Sequence, residues 1–228
     1  MLSLSGLLAL ASPAAAQVSG SLAVQSNYVV RGYSISAGKP AAVLGLSYDD
    51  PSGAYANASV IGALDNGDNP VLQGAIGNVG YAWRLAPRLS LDAGVVRTQY
   101  FRLFGVENHV GYTEGYVGGA FHNLSAHIFY SPDYLRSGAR TVYGEIEGST
   151  ETWAQIRLAA HVGYLDYISF PAGAPARADQ CDWRLSAARF IAPFDLHLAV
   201  SGGGPGADYY LHYPHGRTTL TAGLSWAF

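Results

Sequence analysis

Lysine occurs once in the 228 residues, at Lys39, and the four charged residue types together make up only 13% of the chain. A soluble domain of this size carries nearer to ~25% charge, because its whole surface has to be hydrated. The shortage argues against an ordinary fully solvated surface. The formal charge of −3 and the lack of clustered Lys and Arg also argue against nucleic acid as a partner. Cys181 is the single cysteine, so no internal disulfide can form and the fold must rest on backbone pairing and packing. Cys181 itself reads as a spectator in a loop or at a strand rim. After Gln17 there is no run of the ~18–20 apolar residues that a membrane-spanning helix requires. Yet the chain is 49% hydrophobic, with 28 Gly and 16 Tyr. Apolar surface has to be placed somewhere other than in a helix.

The first residues have the form of a secretory signal peptide. An apolar run from Leu2 to Ala11 is followed by Pro13 and an A-x-A site at Ala14–Ala16, although no Lys or Arg precedes the run. Residues 1–16 are therefore expected to be removed on export, leaving residues 17–228 as the folded domain.

From Ser19 onward the chain divides into segments of roughly ten residues with period-two alternation, separated by turn chemistry. Ser21–Arg31 sets Leu22, Val24, Tyr28 and Val30 against Ser21, Gln25, Asn27 and Arg31. Similar segments follow at Pro40–Tyr48, Ala54–Ile61, Leu72–Trp83, Leu89–Thr98, Gly111–Phe121, Leu124–Tyr130, Val142–Glu147, Ala154–Tyr164, Trp183–Phe190 and Leu196–Ser201. The last, Thr218–Phe228, has Leu220, Ala222, Leu224, Trp226 and Phe228 on one side and Thr219, Thr221, Gly223, Ser225 and Ala227 on the other. Apolar outside, small or polar inside, with aromatics at the rim, is the pattern of a strand in a transmembrane barrel.

The count comes to about twelve strands, with ten or fourteen as alternatives. Connections are short after each even strand and long after each odd one, with Tyr100–Val110 among the expected loops. Short turns on one rim and long loops on the other predict an all-β, antiparallel, up-and-down transmembrane barrel. The final strand must then pair with the first to remove both sheet edges.

The motifs Q-S-N-Y-V-V-R-G-Y-S at Gln25–Ser34 and G-K-P-A at Gly38–Ala41 resemble the opening motif of the TorF porin family, the bacterial Gcw_chp domain. Shorter stretches resemble it too: Y-T-E-G-Y-V-G at Tyr112–Gly118, S-P-D-Y at Ser131–Tyr134, A-A-H-V-G-Y at Ala159–Tyr164 and F-D-L-H-L-A at Phe194–Ala199. The resemblance implies a porin-like barrel in the outer membrane of a Gram-negative bacterium. Leu224, Trp226 and Phe228 resemble the terminal signal read by the barrel assembly machinery, so that machinery and outer-membrane lipid are the expected partners.

If the alternation holds, the interior carries Arg31, Asp92, Glu114, Tyr116, His127, Tyr143, Glu145, Glu147, Arg157, His161, Asp182 and Arg184. Mid-strand charges are placed inward because on the lipid face an Arg would cost about 2–4 kcal/mol at the bilayer midplane and a carboxylate somewhat less. The signs are mixed, so no single-sign ring is evident. Two readings follow: a narrow channel for small polar solutes or ions, or an interior plugged by these same side chains. Inward Ser47, Ser59, Ser90, Gly94, Gly118 and Ser186 favour the channel by leaving room, and a constriction of Arg31 with Glu114 or Glu145 is expected.

Two other classes compete. A barrel hydrolase or acyltransferase would use His127 or His161, with Ser125 on the face of His127, but no G-x-S-x-G elbow supports it. An adhesin or receptor barrel would use the loop Asp208–Tyr213. Asp65 and Asp68 resemble a calcium loop only loosely, with no closing Glu, so no metal and no cofactor is expected.

Overall fold

The computed structural model describes residues 16–103, 106–169, 179–205 and 218–228. Apart from residue 16, the expected signal peptide lies outside the described residues, as does the loop Asp208–Tyr213. Strand β1 (Gln17–Gln25) leads into a two-stranded hairpin, β2 (Val29–Val30) and β3 (Tyr33–Ser34). Then come β4 (Ala41–Asp49), β5 (Ala54–Leu64), β6 (Pro70–Ala86), β7 (Leu89–Leu103) and β8 (Val106–Phe121). The remaining strands are β9 (Leu124–Ser131), β10 (Arg140–Glu151), β11 (Ile156–Ser169), β12 (Gln180–Ile191), β13 (Phe194–Pro205) and β14 (Thr219–Ala227). All but β2 and β3 form one closed antiparallel barrel of twelve strands, each paired with its neighbour in sequence order.

The seam forms between the two ends of the chain. β14 pairs with β1 in the register Ser21↔Ala227 through Gln25↔Gly223. Beyond the ladder, Gly20 and Phe228 exchange both backbone hydrogen bonds, at 2.8 and 2.9 Å. The Phe228 ring lies across Gly20, where a Cβ would fall 2.4 Å from a ring carbon, and its centroid is 4.9 Å from that of Trp226. Glycine at position 20 is what lets the terminal ring lie flat on the seam.

Alternation sorts the wall as the sequence predicts. Leu22, Val24, Leu44, Leu46, Val60, Val79, Val95, Val117, Ile128, Ile146, Val162, Leu185 and Leu198 are exposed on the outer surface. A continuous apolar surface of that extent is unsuited to water and suited to hydrocarbon. Trp83, Phe121, Phe194, Trp226 and Phe228 are exposed towards the short-turn rim, and Tyr130 and Tyr164 towards the other, as interfacial belts require. Arg97 interrupts the pattern on β7, donating to Thr113 Oγ1 at 3.2 Å and Gln99 Oε1 at 3.3 Å.

Most strands run a few residues longer than expected, and three differences bear on the interior. β10 continues to Glu151 and β11 begins at Ile156, so Gly148–Glu151 is ladder and the turn is residues 152–155. β7 and β8 extend to Leu103 and Val106, because residues 100–103 pair with residues 106–110, as Tyr100↔Val110 and Arg102↔Glu107 show. The third difference is the most consequential. The first wall strand stops at Gln25, not Arg31.

Candidate pore lining

Chain departure at Ser26 is built from local hydrogen bonds. Ser26 N donates to Ala222 O, and Ala222 N donates to Ser26 Oγ, so the strand is sealed against β14 at that point. Asn27 Oδ1 then accepts from the hydroxyls of Ser34 and Ser36, drawing the two arms of the hairpin together. Tyr28 N donates to Ser36 Oγ, and Ile35 N to Tyr28 O. Between β2 and β3 the turn residues Arg31 and Gly32 have φ of 48° and 76°. Both central residues at positive φ define the type I′ turn that suits a two-residue hairpin. Gly32 packs on β13, where a Cβ would fall 2.7 Å from the backbone of Gly203 and Gly204. Residues 26–40 thus fold into the barrel, and Tyr28 is buried there instead of facing lipid.

At the turn, Arg31 enters a closed environment. Its Nη1 and Nη2 donate to Glu114 Oε1 and Oε2 at 2.9 and 3.0 Å, a bidentate pair with both side chains nearly buried. The guanidinium carbon lies 3.9 Å from the ring centroid of Tyr143, 5.4 Å from that of Tyr134 and 5.5 Å from that of Phe129. Such contacts add about 0.5–2 kcal/mol where water is excluded. A positive φ on a non-glycine residue is uncommon, and here the ion pair and the aromatic cage hold it. Of the two partners expected for Arg31, Glu114 holds it and Glu145 does not, and Arg31 reaches that partner from a turn instead of from the wall.

Around this pair the long-loop half of the interior is a packed aromatic core. Tyr28, Tyr33, Tyr100, Leu103, Tyr112, Phe129, Tyr134, Tyr143 and Leu165 are buried together. Towards the short-turn rim the interior opens. Along β11, side-chain exposure rises from 1% at Leu165 to 11% at His161 and 41% at Arg157, and along β12 from 6% at Asp182 to 32% at Arg184. One end is filled and the other is wet.

Every strand residue assigned inward from the sequence does point inward, and the structure joins them into separate groups. Arg157 pairs with Asp195, and Arg184 Nη2 lies 3.7 Å from Glu147. His127 Nε2 is 3.2 Å from Asp92, with its Nδ1 3.9 Å from Glu145. His161 Nε2 is 2.9 Å from Asp182, and Tyr143 donates to Asp182 Oδ2 at 3.1 Å. Tyr116 donates to Asn78 at 3.0 Å and contacts the Tyr55 hydroxyl, which donates to Asp92 at 3.0 Å.

Inward Ser47, Ser59, Ser90 and Ser186 hold their places in the register, but two glycines do not leave open space. A Cβ on Gly94 would fall 2.4 Å from Tyr116 Oη, and one on Gly118 would fall 2.0 Å from His127 Cδ2. They are seats for rings. Sequence reasoning missed Tyr55, Asn78, Tyr134 and Asp195, although Tyr55, Asn78 and Asp195 share the inward parity of their strands and were legible on that ground.

Neither histidine is hydrogen-bonded to a serine among the described residues, so the hydrolase arrangement of nucleophile and base is not assembled there. Asp65 Oδ1 accepts from the backbone amides of Asn69 and Gly67, which hold its carboxyl below the usual range and commit it to its own turn. Among the described residues no cluster of three His, Cys, Asp or Glu is placed to hold a metal ion.

A family described as "Bacterial protein of unknown function (Gcw_chp)" matches residues 10–209. The chain belongs to the Gcw_chp family. No curated protein matches the sequence. Among solved structures, a KdgM porin aligns at 12% identity and a TM-score of 0.57, over 92% of this chain and 99% of its own. A NanC porin aligns at 11% identity and 0.57, with the same coverage of 92% and 99%. A KdgM porin in complex with disordered oligogalacturonate aligns at 11% and 0.50, over 94% and 99%. At such identities the likeness establishes the fold: this Gcw_chp chain has the barrel architecture of those porins.

Proposed function

We propose that the protein is an outer-membrane channel of the porin type, passing small polar solutes or ions passively through a narrow lumen of mixed charge. The observation that carries this reading is a closed barrel, apolar outside, whose charged inner wall grows more solvent-exposed towards the short-turn rim. A barrel serving only as an anchor has no need of six carboxylates on its interior wall, each costly to desolvate. In this conformation residues 26–40 close the long-loop end, so conduction requires that the hairpin yield. The lining residues are Arg31, Asp92, Glu114, Tyr116, His127, Glu145, Glu147, Arg157, His161, Asp182 and Arg184.

The same reading places the chain in the Gram-negative outer membrane, exported by residues 1–16 and inserted by the barrel assembly machinery through Leu224, Trp226 and Phe228. Within the Gcw_chp family it fits the TorF porins. The oligogalacturonate named with one KdgM structure is not carried over as cargo, since an acidic sugar would meet a wall rich in carboxylates. Refolded protein in planar bilayers should give reproducible unitary conductance. A sealed bilayer at every voltage, with correctly heat-modifiable protein, refutes the channel.

A further inference from the structure

The charged groups of the interior do not balance. Among the described wall residues and the inward hairpin, Asp92, Glu114, Glu145, Glu147, Asp182 and Asp195 face Arg31, Arg157 and Arg184. Each guanidinium is spent on one carboxylate: Arg31 on Glu114, Arg157 on Asp195 and Arg184 on Glu147. At the short-turn rim the same inward parity carries the exposed Asp49, Arg84 and Glu151, with Glu151 opposite Arg157 in the register. Among the described residues, three of those six carboxylates have no guanidinium partner: Asp92, Glu145 and Asp182. Asp92 has Tyr55 and His127, Glu145 has only His127 at 3.9 Å, and Asp182 has Tyr143 and His161.

These three are not scattered. The pairing runs Asp92↔Gly118, Gly118↔His127, His127↔Glu145, Glu145↔Gly163 and Gly163↔Asp182. They occupy one continuous row across β7 to β12, alternating with the two glycines and a histidine. The glycines complete the geometry. His127 lies over Gly118 to reach Asp92, and Tyr143 lies over Gly163, where a Cβ would fall 2.0 Å from its hydroxyl and 2.7 Å from Asp182 Oδ2. The facing strands place Ala23, Ser47, Asn57, Ala199 and Thr221 inward, and of their charged or titratable groups Asp195 is paired with Arg157 and His197 lies over Gly223.

We infer that this row, Asp92–Glu145–Asp182, makes the channel cation-selective and that its cargo is a cation or a cationic small molecule. The inference rests on the channel reading above. In a narrow passage with low-dielectric walls, carboxylates not neutralised by guanidinium raise the local concentration of cations and exclude anions. The balance of the wall was hidden in the sequence, where total acids exceed total bases by only three and nothing shows which pairs cancel.

The test is the reversal potential of refolded protein in a planar bilayer under a potassium chloride gradient. At ionic strength near ~0.1 M, where screening extends over about 10 Å, potassium should permeate about fivefold more readily than chloride. The triple variant Asp92→Asn, Glu145→Gln, Asp182→Asn should bring the ratio close to one. If that variant fails to show the heat-dependent mobility of a folded barrel, Glu145→Gln alone carries the test. Among the described residues its one ionic contact is long, and the change should lower the ratio about twofold. A current carried equally or mainly by chloride in the wild type overturns the inference and leaves the channel standing, as does an unchanged ratio in the folded variants. A wild-type protein that passes no current overturns both.

Discussion

Replacing Arg31 by alanine tests how the hairpin is held inside the barrel. The change removes a bidentate ion pair with Glu114 and three aromatic contacts, and it leaves the Glu114 carboxylate buried without its partner. Breaking a buried pair by deleting one member costs about 3–5 kcal/mol. Some of that is recovered if water follows the vacated guanidinium, so about 3 kcal/mol is a working value for the docked hairpin relative to the undocked one. At 1.4 kcal/mol per factor of ten, this shifts the docked-to-undocked ratio about 150-fold. The barrel ladder itself is not touched, since β2 and β3 pair only with each other. Single-channel recording should therefore show longer or more frequent open events in Arg31→Ala, with the heat-modifiable gel shift retained. Arg31→Lys keeps the charge but loses the fork, and should fall between the two. The double variant Arg31→Ala, Glu114→Ala relieves the orphaned carboxylate, so its effect should be smaller than the sum of the singles. Indistinguishable gating in wild type and Arg31→Ala, or strictly additive singles, would refute the reasoning that this pair holds the loop.

The remaining predictions concern the wall and the seam. Deleting Phe228 removes the ring on Gly20 and two backbone hydrogen bonds, and should lower the yield of heat-modifiable barrel in the outer membrane. Unchanged assembly would remove Phe228 from the terminal signal. Leu224→Arg places a charge on the outer face next to Trp226 and should destabilise the folded barrel by about 1–2 kcal/mol, less than at the bilayer midplane because Trp226 marks the interface, read as a lower midpoint in urea. Gly118→Val would drive a side chain into His127, whose ring carbon lies 2.0 Å from the Cβ position. It should displace the imidazole from Asp92 and alter conductance without abolishing the gel shift. An unaltered conductance would show that the seat at Gly118 does not shape the lumen.

The terminal strand shows what was legible from residue order. Leu220 to Phe228 alternate without interruption, and their faces and their closure against β1 are as the pattern requires. The even strand number follows likewise, because each hairpin carries its own turn chemistry. The opening motif was misread for an equally local reason. Tyr28 and Val30 continue the period of Leu22 and Val24, and alternation cannot tell an aromatic side chain that meets lipid from one that meets the interior of a loop-filled barrel. The stretch from Tyr100 to Val110 reads as a loop in sequence, whereas the structure pairs its two ends across a bulge between Tyr100 and Arg102, where the register shifts.

By itself, then, the order of residues determined which side chains face in and which face out. Backbone geometry enforces that period over any two adjacent residues. It determined the apolar band for the same reason, and the even strand count through the turn chemistry of each hairpin. Tertiary closure alone decided the rest. Arg31 meets Glu114 across 83 residues of sequence, and Asp92, Glu145 and Asp182 fall in one row only because each strand's register is fixed against the next. Which charges cancel and which remain depends on distances of a few ångström between strands, and no periodicity along the chain encodes them.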